Sequence, residues 1–224
     1  MLSDQKNEEE TDTKCRLVFV CGRAGSGKTT LGNKFSDECG WLHFNADQFN
    51  HGQSPFKTNG WMDPEDSYSK RSKEHIEAGH LLMRQGYWKL NVDEKPNINV
   101  WTPYYKILCD EVLKVKKKYP AKNIIITHSV YTYDARQYIR TCLGNNLLFI
   151  ILNTDTNLLV ERIIQRDTKI AKVLGKTAKN DDEYKKNVAL WAKGFELMIK
   201  NEINTYQIDI DKNVTIDDVF NKAK

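Results

Sequence analysis

The chain has 224 residues, of which 40% are hydrophobic and 29% charged, with a formal net charge of +4. That length gives one α/β domain a sizeable core, and that balance excludes a collagen-like or disordered chain. The apolar runs fall short of the ~18 residues of a membrane span, the five cysteines form no C-x-x-C pair that would suit zinc, and the basic excess is too modest to mark a nucleic-acid binder.

Residues 1–14, MLSDQKNEEETDTK, are polar and acidic and lack the apolar segment of a secretion signal. They read as a flexible tail. With an odd number of cysteines, the expectation is a cytoplasmic protein with reduced thiols. The first strand is expected over 15–21, where Leu17 to Val20 form a short apolar, β-branched run. It leads into "CGRAGSGKTT". Gly22, Gly27, Lys28 and Thr29 stand at the spacing G-x-x-x-x-G-K-[ST] of a phosphate-binding loop. Glycines let the backbone approach a ligand closely, successive N–H groups ring a phosphate, and the helix that follows adds its positive end. Gly22, Arg23, Ala24, Gly25, Ser26, Gly27, Lys28, Thr29 and Thr30 are therefore the candidate nucleotide-binding residues. In that role Lys28 reaches the β- and γ-phosphates and Thr29 ligates magnesium.

A helix is expected over 28–38 and a second strand over 41–45, in "WLHFNADQF". The following helix is expected over 65–84, while 87–102 carries no clear period. A helix over 103–118 opens on Pro103, placed in its first turn. Its apolar stripe is Tyr104, Leu108, Val112, Val115 and Tyr119, and Lys114, Lys116, Lys117 and Lys118 form a solvated face near its end. The clearest strands are 123–127 and 147–152, continuous and apolar as strands buried on both faces are. Helices over 133–142, 155–166 and 181–200, a strand over 205–210 and a helix over 215–222 complete the pattern. Strands alternating with helices predict an α/β fold with a parallel sheet.

In such a sheet, ligands sit beyond the carboxyl ends of the strands. That rule selects Asp47 after the second strand, able to bind Mg²⁺ or to accept a proton from a hydroxyl. "IIIT" ends without the aspartate that many phosphate-loop ATPases and GTPases carry there. Arg162 and Arg166 are four residues apart and share a helix face. The lysine-rich segment after them, about 167–180, is expected to be a lid that carries positive charge to a transferring phosphate. Arg136 and Arg140 are also four apart, and one of them is a candidate anion contact. His51 and His128 are candidate substrate contacts, although a lone histidine more often has a structural role.

The phosphate loop, "FNADQF", "IIITHSVYTYDARQYIR", "LLFIILNTDTNLLVERIIQR" and "QIDIDKNVTIDDVF" occur in the order found in gluconate kinases, which the chain resembles. Those belong with shikimate and adenylate kinases among small P-loop kinases. The resemblance runs from 15 to 222 and is thin between 66 and 120. It implies a P-loop NTPase three-layer α/β/α fold over 15–224, with a five-stranded parallel sheet in the order 2-3-1-4-5. It also implies a substrate-binding insert over 48–120 and a lid after strand 4. By this likeness Asp47 is the substrate-side carboxylate, Lys57 and Arg136 contact the acceptor, and Arg162 and Arg166 are the lid arginines. The chain differs in having Asn45 where the family carries a first acid, in lacking a histidine–phenylalanine stretch in the lid, and in its longer insert.

The implied function is an ATP- and Mg²⁺-dependent kinase acting on a hydroxyl of a small polar metabolite such as a sugar acid. The oligomeric state stays open. Phage-type polynucleotide kinases share a similar loop, an Asp after strand 2 and an Arg after strand 3, so a 5′-hydroxyl or nucleoside acceptor stays open. So does a nucleotide-dependent switch or adaptor without transfer activity.

Overall fold

The computed structural model describes residues 15–47, 98–130, 132–175, 177, 182–193, 202–211 and 213–223. Five strands form one sheet: β1 (Leu17–Gly22), β2 (Leu42–Asn45), β3 (Ile124–Thr127), β4 (Leu148–Thr154) and β5 (Thr205–Ile210). All pairs are parallel, in the order β2-β3-β1-β4-β5. The six described helices are α1 (Lys28–Cys39), α2 (Ile98–Lys118), α3 (Tyr133–Leu143), α4 (Thr156–Val173), α5 (Asp182–Lys193) and α6 (Ile216–Ala223).

The strands are apolar throughout because both faces of the sheet are covered. On one face Phe19, Phe44, Ile126 and Phe149 pack against Tyr105, Leu108 and Val112 of α2 and Ile139 of α3. On the other, Val18, Val20, Ile125 and Ile150 pack against Leu31 and Phe35 of α1 and Val219 and Phe220 of α6. This is the expected three-layer α/β/α arrangement with its 2-3-1-4-5 sheet. A third cluster, Leu159 and Ile163 of α4 with Val188 of α5, packs on Ala24 beside the first strand-to-helix turn.

Local chemistry sets the helix ends. Gly40 takes a left-handed φ of 67° and stops α1. The Thr132 hydroxyl accepts from Ala135 N–H to start α3, and the Asp155 carboxylate accepts from Asn157 and Leu158 N–H to start α4.

Two boundaries differ from those expected. Helix α2 begins at Ile98, so Pro103 lies inside it and not in its first turn. The ring removes one early hydrogen bond, and the apolar stripe over the rest of the 21-residue helix holds it together. Helix α4 does not stop at 166 but continues to Val173, because nothing in 167–173 breaks a helix before Gly175 at φ 64°. The first seven residues of the segment expected to be a lid are thus helical. The expected helix over 65–84, residues 87–97, most of the insert and residues 194–200 lie outside the described residues. No helix among the described residues is long and apolar enough to cross a membrane.

Candidate active site

The carboxyl end of β1 is where the sheet turns into a binding loop. Gly25 and Gly27 adopt φ of 80° and 97°, values that L side chains rarely take. Space is also short, since a Cβ on Gly27 would lie 2.6 Å from the Ile216 side chain, and one on Gly22 only 2.5 Å from Ser26 Oγ. The loop runs directly into α1, whose first N–H groups have no side-chain cap. Those N–H groups and the helix dipole suit an anion.

Lys28 is the first residue of α1 and is only 6% exposed. Its Nζ donates to the carbonyls of Gly22 at 2.9 Å and Arg23 at 2.8 Å. Burial pushes the ammonium down to about 8, against the attraction of the Asp47 charge, and the nearby Arg166 cation lowers it further. No carboxylate among the described residues forms an ion pair with Lys28 within 4.0 Å. A buried cation balanced only by carbonyls and a more distant carboxylate is suited to a polyanion. Ser26 Oγ is buried with no hydrogen-bond partner in the same loop. Thr29 and Thr30 are exposed at the start of α1.

Arg23 crosses to the end of β4. Its Nη2 donates to the Thr154 carbonyl, and Nη1 lies 3.4 Å from Thr156 Oγ1. It borders a cavity of about 290 Å³ with Asn153, Asp155, Asp209 and Asp211. The loop is thereby tied to the end of β4 and the start of α4.

The second half of the site comes from the other side of β1. Asn45 ends β2 and pairs in register with Thr127 at the end of β3. Two residues beyond Asn45, the Asp47 main-chain N–H donates to Asn45 Oδ1 at 3.1 Å. The Asp47 side chain is 53% exposed, and His128 Nδ1 sits 3.0 Å from its Oδ1. Behind His128, Tyr104 of α2 brings its hydroxyl 3.3 Å from Nε2. The structure thus brings Lys28, Asp47 and Arg166 into one electrostatic neighbourhood, with His128 bonded to Asp47. Arg162 is half-buried on α4, one turn before Arg166, and Arg166 Nε lies 2.9 Å from Asp167 Oδ1.

Arg136 has another task than the expected acceptor contact. It is fully buried, with Nη2 2.9 Å from Glu202 Oε1. A guanidinium already matched to a carboxylate inside the core does not reach an acceptor. Arg140 is likewise buried, donating to the Leu147 carbonyl and to Thr205 Oγ1. Both belong to the packing of α3 on the sheet. His51 and Lys57 lie outside the described residues. Sequence reasoning missed the tie of Arg23 to Thr154 and the contact of Tyr104 with His128, since Tyr104 fell on the core stripe of its helix. Glu202 was missed as the partner of Arg136, the two standing 66 residues apart.

No protein-family model matches the chain. No curated protein matches it either. Solved structures do. A gluconokinase from Sinorhizobium meliloti 1021 is similar with a TM-score of 0.55 at 15% identity, over 93% of this chain and 89% of that one. A sugar kinase from Janibacter sp. HTCC2649 reaches 0.54 at 18% identity, over 93% and 92%. The Mycobacterium tuberculosis APS kinase CysC, in complex with AMPPNP and APS, reaches 0.50 at 11% identity, over 93% and 95%. At these identities the likeness is one of fold. The fold is that of the small P-loop kinases.

Proposed function

We propose that this protein is a phosphotransferase that moves the γ-phosphoryl group of ATP to a hydroxyl of a small polar metabolite. The observation that carries this reading is the pairing of two half-sites at the carboxyl end of the sheet, on strands separated by β3 alone. A glycine-shaped loop with a buried Lys28 follows β1, and an exposed carboxylate, Asp47, follows β2 close enough to pull on the Lys28 charge. The gluconokinase and sugar kinase that share the fold support a hydroxyl acceptor.

In the reaction, the acceptor oxygen bonds to the γ-phosphorus while the bond to the β–γ bridging oxygen breaks and ADP leaves. Asp47 takes or orients the hydroxyl proton. Lys28, the loop N–H groups and the α1 terminus hold the donor phosphates, and Arg162 and Arg166 add positive charge to the group in transit. Mg²⁺ supplies charge neutralisation on the phosphates when bound, and Thr29 and Asp47 are the residues that would hold it. No group of three or more His, Cys, Asp or Glu side chains among the described residues forms a cage for a metal. Mg²⁺ takes one or two protein oxygens and completes its shell with phosphate and water, as the Thr29 hydroxyl and the Asp47 carboxylate would allow. Lys57 and His51 complete the proposed acceptor side, in the insert over 48–120, and the segment 167–180 is the proposed lid.

The test is transfer from γ-labelled ATP across a panel of sugar acids, sugars, nucleosides, APS and 5′-hydroxyl oligonucleotides. Label in one small metabolite class supports the reading. Label only in the oligonucleotide makes the chain a polynucleotide kinase. ATP binding without any transfer leaves a nucleotide-binding switch.

A further inference from the structure

We propose that His128 is a positioning residue for Asp47, with Tyr104 selecting the imidazole tautomer that does the positioning. The inference rests on the reading of Asp47 as the acceptor-side carboxylate.

Three elements converge to build this relay. Asp47 follows β2, His128 follows the adjacent β3, and Tyr104 comes from α2 on the face of the sheet it covers. His128 lies between the other two, with its side chain 9% exposed against 53% for Asp47. Nδ1 is 3.0 Å from Asp47 Oδ1, and Nε2 is 3.3 Å from the Tyr104 hydroxyl. The imidazole is also walled by aromatic rings, with centroids 5.6 Å away at Tyr104 and 6.0 Å away, edge-on, at Tyr105.

The chemistry of the three groups gives the chain a direction. An ionised carboxylate only accepts, so Nδ1 carries the proton and donates to Oδ1. In neutral imidazole Nε2 then holds a lone pair, so the Tyr104 hydroxyl donates to it. Tyr104 is only 2% exposed, so this bond is made away from bulk water. Each bond fixes the next, and the Nδ1–H tautomer is the one in which both are made.

The result at Asp47 is orientation. Its main chain is held by Asn45 at 3.1 Å and its carboxylate by His128. Oδ1 is therefore held in place before an acceptor arrives, in a carboxylate whose charge Lys28 feels. A base held in one orientation loses less on forming a near-attack geometry than one that must first be ordered. A histidine that only filled space would not need either hydrogen bond.

The test has two arms. The first needs no activity. In ¹⁵N-labelled protein at pH 8, the His128 ring nitrogens should report the Nδ1–H tautomer, and Tyr104→Phe should shift the population toward the other form. A His128 that is Nε2–H in the wild type overturns the proposal, whether or not an acceptor has been identified. The second arm uses whichever acceptor the labelled-ATP panel yields. His128→Ala should lower kcat by about 10- to 100-fold, the range seen when an orienting partner is removed. ATP affinity should stay within about 2-fold, because the donor loop is untouched. His128→Asn keeps an N–H donor near the Nδ1 position and should recover most of that loss. Equal losses in Ala and Asn variants that remain folded by circular dichroism overturn the positioning role and leave His128 a packing residue.

Discussion

Arg136 and Glu202 meet inside the protein with no exposure of either side chain, Nη2 lying 2.9 Å from Oε1. Arg140 Nη2 stands 3.9 Å from the other carboxylate oxygen. One buried carboxylate therefore serves two guanidinium groups, and the Arg140 cation also lies over the Phe149 ring at 4.7 Å. Removing one partner of a buried pair leaves an uncompensated charge, which costs about 3–5 kcal/mol. The two single variants should not be equal. Arg136→Ala leaves Glu202 with Arg140 and Thr205, whereas Glu202→Ala strands two cations in the core. Urea unfolding should show Glu202→Ala as the less stable of the two. Equal midpoints would mean that Arg140 draws nothing from Glu202.

Lys28 gives nucleotide binding a pH dependence. Burial holds the free ammonium at about 8, and a bound polyphosphate favours its charged form and raises that value. Binding must then take up protons wherever the free lysine is partly neutral. The uptake should be small at pH 7, about half a proton at pH 8 and close to one at pH 9. Above pH 8 ATP affinity should fall by up to about tenfold per pH unit until the bound-state value is passed. Calorimetry in buffers of different ionisation enthalpy measures the uptake directly. In Lys28→Ala this proton uptake should vanish.

The parts of the molecule that were legible in sequence share one property: their cause is local. A continuous apolar run that ends at Gly22 marks β1, and the loop spacing marks the phosphate cradle within a few residues of it. The place of β2 beside β3 came from the resemblance to gluconate kinases, which implies the order 2-3-1-4-5. What was not legible depends on residues far apart in the chain. Arg136 looked like an anion contact because its helical spacing with Arg140 is visible, while Glu202 is 66 positions away. Tyr104 satisfied the period of a core helix so well that its hydroxyl went unread. The end of α4 was misplaced because the lysines spread over 169–179 suggest a loop by charge, yet 167–173 contains no residue that stops a helix.

Gly32 lies mid-helix in α1, where an alanine ordinarily gains about 1 kcal/mol. Here the sign reverses. A Cβ at Gly32 would lie 2.4 Å from His43 Nε2, with the other ring atoms at 2.6 and 2.7 Å. His43 cannot yield cheaply, because Nδ1 is 3.0 Å from Asn33 Oδ1 and Nε2 is 2.8 Å from Thr127 Oγ1. Moving the ring breaks both bonds, at about 0.5–1.5 kcal/mol each, and leaves buried polar atoms unpaired at further cost. Gly32→Ala should therefore lower the unfolding midpoint. In a His43→Ala background the same substitution should become neutral or stabilising, a reversal that a thermal-melt double-mutant cycle would detect. If Gly32→Ala is stabilising in the wild-type background, the ring moves more freely than these contacts allow.

Arg166 couples the last helical turns of α4 to Lys28 of the phosphate loop through its charge. Its charge lowers the Lys28 value, while its Nε is 2.9 Å from Asp167 Oδ1. Asp167 in turn accepts from the Tyr184 hydroxyl of α5, where burial first and this bond second push the phenol up to about 12. Asp167 thus holds Arg166 by one oxygen and α5 by the other. If Arg166 carries charge onto the transferring group, its gain appears only in the transition state, and its loss should fall on kcat. Arg166→Ala should lower kcat by about 10³-fold, at the low end for a phosphoryl-stabilising arginine, with ATP affinity within a few-fold. The same variant should raise the Lys28 value above about 8, moving the proton uptake on ATP binding to higher pH. Tyr184→Phe keeps Arg166 but releases Asp167 from α5, and should increase amide exchange over 167–175 without a comparable loss in kcat. An Arg166→Ala variant that loses ATP affinity and kcat in equal proportion would make Arg166 part of donor binding. The lid assignment would then pass to other residues.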